Sequence, residues 1–182
     1  MKKVVLSFLI GGCLSLALTA QAQDTAMPAG YTERVADEEP DQTVLFRRAS
    51  DWVENHFSYS PKKLISTDAA KGELRAEGTV KVKTTTTSGQ LQERPVQFEF
   101  VFHTLASGYD YSVGQLRIAP DPKKPDETVP FEEFVAQLAA ERTNARTHND
   151  RRVTAQASSL TSEIAMSFRS YMNSRPAAGA VE

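Results

Sequence analysis

Residues 78–104 read GTVKVKTTTTSGQLQERPVQFEFVFHT, and the alternation within and around them decides the fold. Starting four residues earlier, Leu74, Ala76, Gly78, Val80 and Val82 fall on one side of an extended chain, with Arg75, Glu77, Thr79, Lys81 and Lys83 on the other. Val96, Phe98, Phe100 and Phe102 repeat the apolar side, and Gln97, Glu99, Val101 and His103 the opposite one. A period of two with one apolar side predicts half-buried strands of an antiparallel sheet. Because both apolar sets carry even numbers, the two strands keep their faces only if paired residue numbers sum to an even value. A three-residue loop, Ser88-Gly89-Gln90, meets that condition with Gly89 at the tight position. It places Lys81 opposite Gln97 and near Glu99, and His103 opposite Arg75.

A further strand starts after Ser107-Gly108 with Tyr109, Tyr111 and Val113 on one face, but the apolar phase then moves to Leu116 and Ile118. One inserted residue near Gly114 restores the phase, which predicts a β-bulge there. The shared phase of Tyr109, Tyr111 and Val113 favours core packing of the two tyrosines over a stacking platform for a sugar or peptide. Upstream, Tyr31–Ala36 reads as a short strand. Asp41 can then cap a helix in TVLFRRASDWVENHF, where Leu45, Ala49, Trp52, Val53 and His56 share one face. Leu64–Thr67 is a short strand ahead of the turn Asp68–Gly72.

Downstream, residues 119–130 hold four prolines and end the sheet as a linker. Pro130 suits a helix start, followed by the apolar positions Phe131, Phe134, Val135 and Leu138. THNDRR, residues 147–152, reads as a polar interruption before a second stripe of Leu160, Ile164, Phe168 and Tyr171 or Met172. The resulting division is a folded α+β unit over 31–118, the linker, a helical segment over 131–173 that covers the sheet or meets a partner helix, and a disordered tail over 174–182.

The first residues, MKKVVLSFLIGGCLSLALTAQAQ, have Lys2 and Lys3, an apolar run of 15 residues from Val4 to Leu18, and the Ala20-Gln21-Ala22 cleavage pattern. They read as an export signal over 1–22, removed before Gln23 and followed by a flexible arm over 23–30. The run is short against the roughly 20 residues of a bilayer span. The expected mature chain is soluble and periplasmic or extracellular, with no transmembrane span. Ile10-Gly11-Gly12-Cys13 offers a lipid-anchored alternative, against which stand the apolar run beyond Cys13 and the pattern at Ala22. Loss of Cys13 with the signal leaves no cysteine, which excludes disulfides, thiolate catalysis and cysteine metal sites together. Removing Lys2 and Lys3 from the 21 basic residues leaves 19 against 23 acidic ones, a formal charge of −4. The charges are mixed along the chain, which excludes nucleic acid as an expected partner.

In TVLFRRASDWVENHF with Trp52, LISTDAAKGELRAEGTVKV with the Asp68-x-x-x-Gly72 turn, and PVQFEFVFHTLASGYDYSVGQLRI with Gly108-Tyr-x-Tyr111, the chain resembles the secreted bacterial family catalogued as domain of unknown function 4468, with a TBP-like fold. The resemblance covers about Tyr31 to Ile118 and rests on packing and turn residues. It implies an α+β architecture: strand, helix, antiparallel sheet of about four to five strands, and C-terminal helices, with helices on one sheet face and the other open. It brings no established activity, cofactor or catalytic residue. TATA-binding proteins use such a face on DNA, but a fold does not carry a function, and the export signal and mixed charge oppose that use here.

No histidine pair has metal-ligand spacing, and neither a nucleophile elbow nor a phosphate loop is present. No metal or cofactor is expected. Lys81, Gln97, Glu99 and His103, on the open face, are the candidate binding residues, expected to be solvated and cheap to replace. The residues favour a non-catalytic exported module that binds a protein or envelope partner through that face. The rival from another class is a small periplasmic hydrolase with His103 as base beside Glu99; a third is an envelope protein whose sheet face pairs with a second copy. No catalytic residue is assigned.

Overall fold

The structure, a computed structural model, describes residues 30–36, 41–86, 88–141 and 148–174. The export signal and most of the arm and tail expected from the sequence lie outside these residues. Among the described residues the order is β1 (Tyr31–Val35), α1 (Gln42–Asp51) continued by a π-helical turn (Trp52–His56), β2 (Lys63–Asp68), β3 (Glu73–Thr85), β4 (Leu91–Leu105), β5 (Gly108–Ile118), β6 (Val129–Pro130), α2 (Phe131–Ala140) and α3 (Asn149–Asn173). The strands form one antiparallel sheet in the order β1-β5-β4-β3-β2, and β6 pairs with the far end of β5. The linker therefore does not end the sheet. Arg117 donates to the Thr128 hydroxyl and carbonyl at 3.0 and 2.8 Å, and Val129–Pro130 returns along Ile118 and Arg117.

The even-numbered sides of β3 and β4 face the helices as the alternation predicts, and Leu74, Ala76, Val82, Phe98, Phe100 and Phe102 are buried. The register differs by two from the expected one: Thr85 faces Leu91, Lys81 faces Pro95, Thr79 faces Gln97 and Glu73 faces His103. The hairpin closes one position earlier, with Thr86 N–H donating to Gln90 O at 2.8 Å and Gly89 N–H to Thr86 O at 2.9 Å. Gly89 has a φ of 84° there, at the end of the loop rather than its middle. An even shift keeps every side chain on its face. The β5 bulge falls where the phase change predicts it. Gln97 pairs with Arg117 but Glu99 with Gly114, so Gln115 and Leu116 stand opposite Phe98 alone, and Gln115 takes a φ of 48°.

Asp41 caps α1 by accepting from Thr43 N–H at 3.2 Å. Leu45, Ala49, Trp52 and Val53 are buried, but His56 is exposed. The wide π turn carries His56 off the apolar stripe and stacks its ring on Tyr171, centroids 4.6 Å apart. Trp52 enters the centre of the core against Phe57, Phe100 and Phe168 at 5.0–5.3 Å. Tyr109 and Tyr111 are 1% exposed and also pack on Phe168, as the phase predicts. On β1, Glu33 stands on this inner side opposite Tyr111; it accepts from the hydroxyls of Tyr31 and Tyr111, and burial pushes the Tyr111 phenol up.

α3 begins inside the stretch expected as a polar interruption. Its buried stripe is Asp150, Val153, Ala157, Thr161, Ile164, Ala165, Phe168 and Met172, and Leu160 is only partly covered. The helix starts early because its polar side chains have partners on β3. Thr85 N–H donates to the Asn149 side-chain oxygen and the Asn149 amide returns to Thr85 O, both at 2.8 Å. Gln156 does the same one step along the strand, accepting from Lys83 N–H at 2.8 Å and donating to Lys83 O at 2.9 Å. Two side-chain amides thus stand where the next strand would be.

At its other end α3 is tied to α1. The Tyr171 hydroxyl and, at 2.7 Å, the Asn55 amide donate to Asp51, and these bonds hold its carboxyl below the usual carboxylate range. A depressed folded value gives stability that is complete above the ordinary value of 3.8 and lost as pH falls through the folded one. Tyr171→Phe should therefore melt below wild type at neutral pH, with the gap closing in acid; a gap of constant size across an acid titration of melting would contradict this.

Candidate functional site

Among the described residues no helix covers the odd-numbered side of β3 and β4, and its charged side chains are set against one another in a line across the strands. On β4, Glu99 accepts two hydrogen bonds from Arg75, Nε to Oε1 at 2.9 Å and a terminal nitrogen to Oε2 at 3.2 Å. That carboxylate raises the Arg75 guanidinium above its ordinary value, first through the hydrogen bonds and then through its charge. Arg75 also lies 3.9 Å from Glu73, which lies 3.9 Å from His103 Nε2. The other ring nitrogen, Nδ1, meets Asp110 of β5 at 2.8 Å. The line Asp110, His103, Glu73, Arg75, Glu99 crosses β5, β4 and β3.

Glu99 departs from the solvated position expected for it. The residue is 8% exposed, as buried as the edge of the core. Across β5 it faces Gly114, which has no side chain, and across β3 it faces Glu77, a like charge. Directly opposed like charges are destabilising unless a cation is shared, and the fork of Arg75, one pair along, supplies it. Lys81 is exposed and reaches Glu93 at 3.1 Å rather than Glu99, a consequence of the shifted register. Gln97 is half-buried between Thr79 and Arg117. All four candidates share the face, but they are not brought into contact: Glu99 and His103, four residues apart on one strand, are each committed to a different partner.

These contacts bear on the hydrolase alternative. A catalytic histidine turns one nitrogen to an orienting carboxylate and the other to the group it deprotonates. His103 has the first in Asp110, but its Nε2 faces a second carboxylate, Glu73, rather than a hydroxyl or thiol. Among the described residues no three His, Cys, Asp or Glu side chains are grouped to hold a metal ion. A polar cleft of about 310 Å³ opens on the helix side instead, between the start of α1 (Gln42, Thr43), the turn at Lys71 and Gly72, and Thr104. None of the four candidates lines it. Its floor is a tight turn: Asp68 accepts from the N–H groups of Ala70 and Lys71 at 3.1 Å, and Gly72 has a φ of 65°. A Cβ on Gly72 would come within 1.7 Å of the Thr104 hydroxyl. Glu73 and Asp110 were the residues the sequence did not single out. Glu73 extends the outward side of β3 by one step, and Asp110 stands between the inward Tyr109 and Tyr111, so the alternation places both on this face.

No described helix is long and apolar enough to cross a membrane. No curated protein matches the sequence. Among solved structures, the chain is similar to a DUF4468 family protein from Bacteroides ovatus, with a TM-score of 0.60 and 11% identity over 81% of this chain and 89% of that one. It is also similar to a TBP-like protein from Parabacteroides distasonis, with a TM-score of 0.59 and 12% identity over 81% of this chain and 94% of that one. The model of the family described as "Domain of unknown function (DUF4468) with TBP-like fold" matches residues 31–119, from the start of β1 to the residue after β5. The chain thus carries a DUF4468 domain with a TBP-like fold, in which β1 to β5 and α1 fall within the family's span and α2 and α3 follow it.

Proposed function

We propose that this protein is an exported, non-catalytic module that binds a protein partner through the outer face of its sheet, the face bearing Lys81, Gln97, Glu99 and His103. The observation that carries this is Glu99: a carboxylate 8% exposed on a face that no described helix covers, fixed by a bidentate arginine. Charges held this way lose little conformational freedom when a partner arrives, and complementary charge sets partner choice and orientation more than raw affinity. The face mixes both signs of charge, which suits a protein surface better than a nucleic acid. Export follows from the Lys2-Lys3 start, the apolar run and the Ala20-Gln21-Ala22 pattern.

The test replaces exposed members of the face and leaves Glu99 and Arg75 in place. Lys81→Glu with His103→Ala should keep the melting temperature of wild type, because such surface changes stay within about 0.5 kcal/mol. The same variant should lose the partner that wild type retains from an envelope extract. Full retention by a normally melting variant removes the face from consideration.

A further inference from the structure

The amides of Asn149 and Gln156 reveal which way the backbone of β3 points. Thr85 and Lys83 give their N–H and C=O groups to α3, away from β4. In an antiparallel ladder this direction alternates residue by residue, so Glu77, Arg75 and Glu73 point the same way, toward β2. Their partners are Lys63, Ser66 and Asp68, which therefore spend their backbone groups on β3. Leu64 and Thr67, opposite Ala76 and Leu74, direct theirs outward. Among the described residues no strand lies beyond β2. The strand is exposed along almost its whole length, and Leu64 and Ile65 keep 47% and 44% of their surface in water. The fold caps the upper edge of β3 with side-chain amides and leaves this lower edge bare.

We propose that β2 pairs antiparallel with β2 of a second copy about a two-fold axis between Ile65 and Ser66, joining two sheets into one. The strand is complementary to itself in this register. Leu64 meets Thr67 of the second copy, so the outward backbone groups of both find partners, and symmetry repeats the pair. Lys63 meets Asp68 of the second copy, again twice, with opposite charge. Lys63 makes no ion pair among the described residues, and Asp68, whose Oδ1 caps the Ala70 and Lys71 N–H groups, has as its ion-pair partner there the exposed Lys71, at 3.1 Å on Oδ2. The β2 irregularity between Leu64 and Ser66 is what makes the register work. In a regular strand, an odd spacing would set inner side chains against outer ones. The extra residue at Ile65 brings Leu64 and Thr67 onto the inner side and Lys63 and Asp68 onto the outer side.

Exposed apolar edge strands are normally blunted because they recruit other strands, and a two-fold pairing closes the edge instead of propagating it. One short strand pair buries less than the roughly 1,000 Å² of a stable interface, so the dimer depends on concentration. This pairing uses the edge rather than the outer face, and it stands or falls separately from the partner-binding role.

The test is sedimentation equilibrium of the purified chain from micromolar to millimolar concentration, with hydrogen exchange read on the peptide spanning 63–68. Wild type should dimerise, with the Leu64 and Thr67 amides gaining protection as concentration rises. Lys63→Asp, which sets like charges opposite one another twice, should weaken dimerisation by about ten-fold or more. Thr67→Pro removes an outward N–H without touching the β2–β3 bonds and should weaken it as well; if that variant melts early, Lys63→Asp alone decides. A chain monomeric throughout, or a dimer that forms equally well with Lys63→Asp, overturns the proposal.

Discussion

Trp52→Ala is expected to lower the unfolding free energy by about 3–5 kcal/mol, the usual cost of emptying a large core site. Trp52 is 1% exposed and stands where three elements meet: Phe57 just beyond its own helix, Phe100 on β4 and Phe168 on α3. Alanine leaves a cavity walled by rings that are themselves held by other rings, Phe168 by Phe102, Tyr109 and Tyr111. Such walls relax little, which puts the expected cost in the upper half of the range. Urea unfolding monitored by circular dichroism gives the number. A loss under about 1 kcal/mol, against the usual cost of such a cavity, would show that the helix layer does not seat on this side chain.

Gly78→Ala is expected to destabilise by about 1–3 kcal/mol through overpacking, although alanine is ordinarily the better strand residue. A Cβ at Gly78 would lie 2.6 Å from the tip of Phe98 and 2.7 and 2.8 Å from two atoms of Phe57. Both rings are packed against further rings. Phe98 is enclosed by Phe57 and Tyr59, and Phe57 by Trp52 and Tyr59. Combining Gly78→Ala with Phe57→Leu should cost less than the two single changes summed, because the smaller side chain makes the space the methyl needs. Strict additivity, or a stabilising Gly78→Ala, would mean that the rings are free to move.

The sheet was legible because its signal is local. Leu74 to Val82 and Val96 to Phe102 carry their faces in their own alternation, and the phase jump between Val113 and Leu116 announces the bulge. The register was less legible. Gly89 marks a tight turn wherever it falls in the loop, and moving it from the middle to the end shifts the pairing by two without disturbing either face. The contacts of the candidate face depend on that register and on the bulge. His103 meets Asp110 only because β4 and β5 pair as they do, and Glu99 is buried only because the bulge brings Gly114 opposite it and Arg75 crosses from β3. Half of α3 was hidden for a different reason: its buried stripe begins with Asp150, Val153, Ala157 and Thr161, of which Val153 alone is a sizeable apolar side chain, too little to mark a stripe. His56 joined the expected helix stripe because its spacing is helical, and a π turn changes the spacing locally.

The amide clamps of Asn149 and Gln156 also make the closing of one sheet edge depend on the far end of the chain. They join residues 64 and 73 positions apart in the chain, and the strand they serve precedes them. Until the last helix has docked, the outward backbone groups of Lys83 and Thr85 have only water to bond, at the end of the β3–β4 hairpin. Whatever loosens that helix therefore also bares a margin of the sheet, where another strand can add. The helix that closes this margin lies outside the span by which the family is recognised.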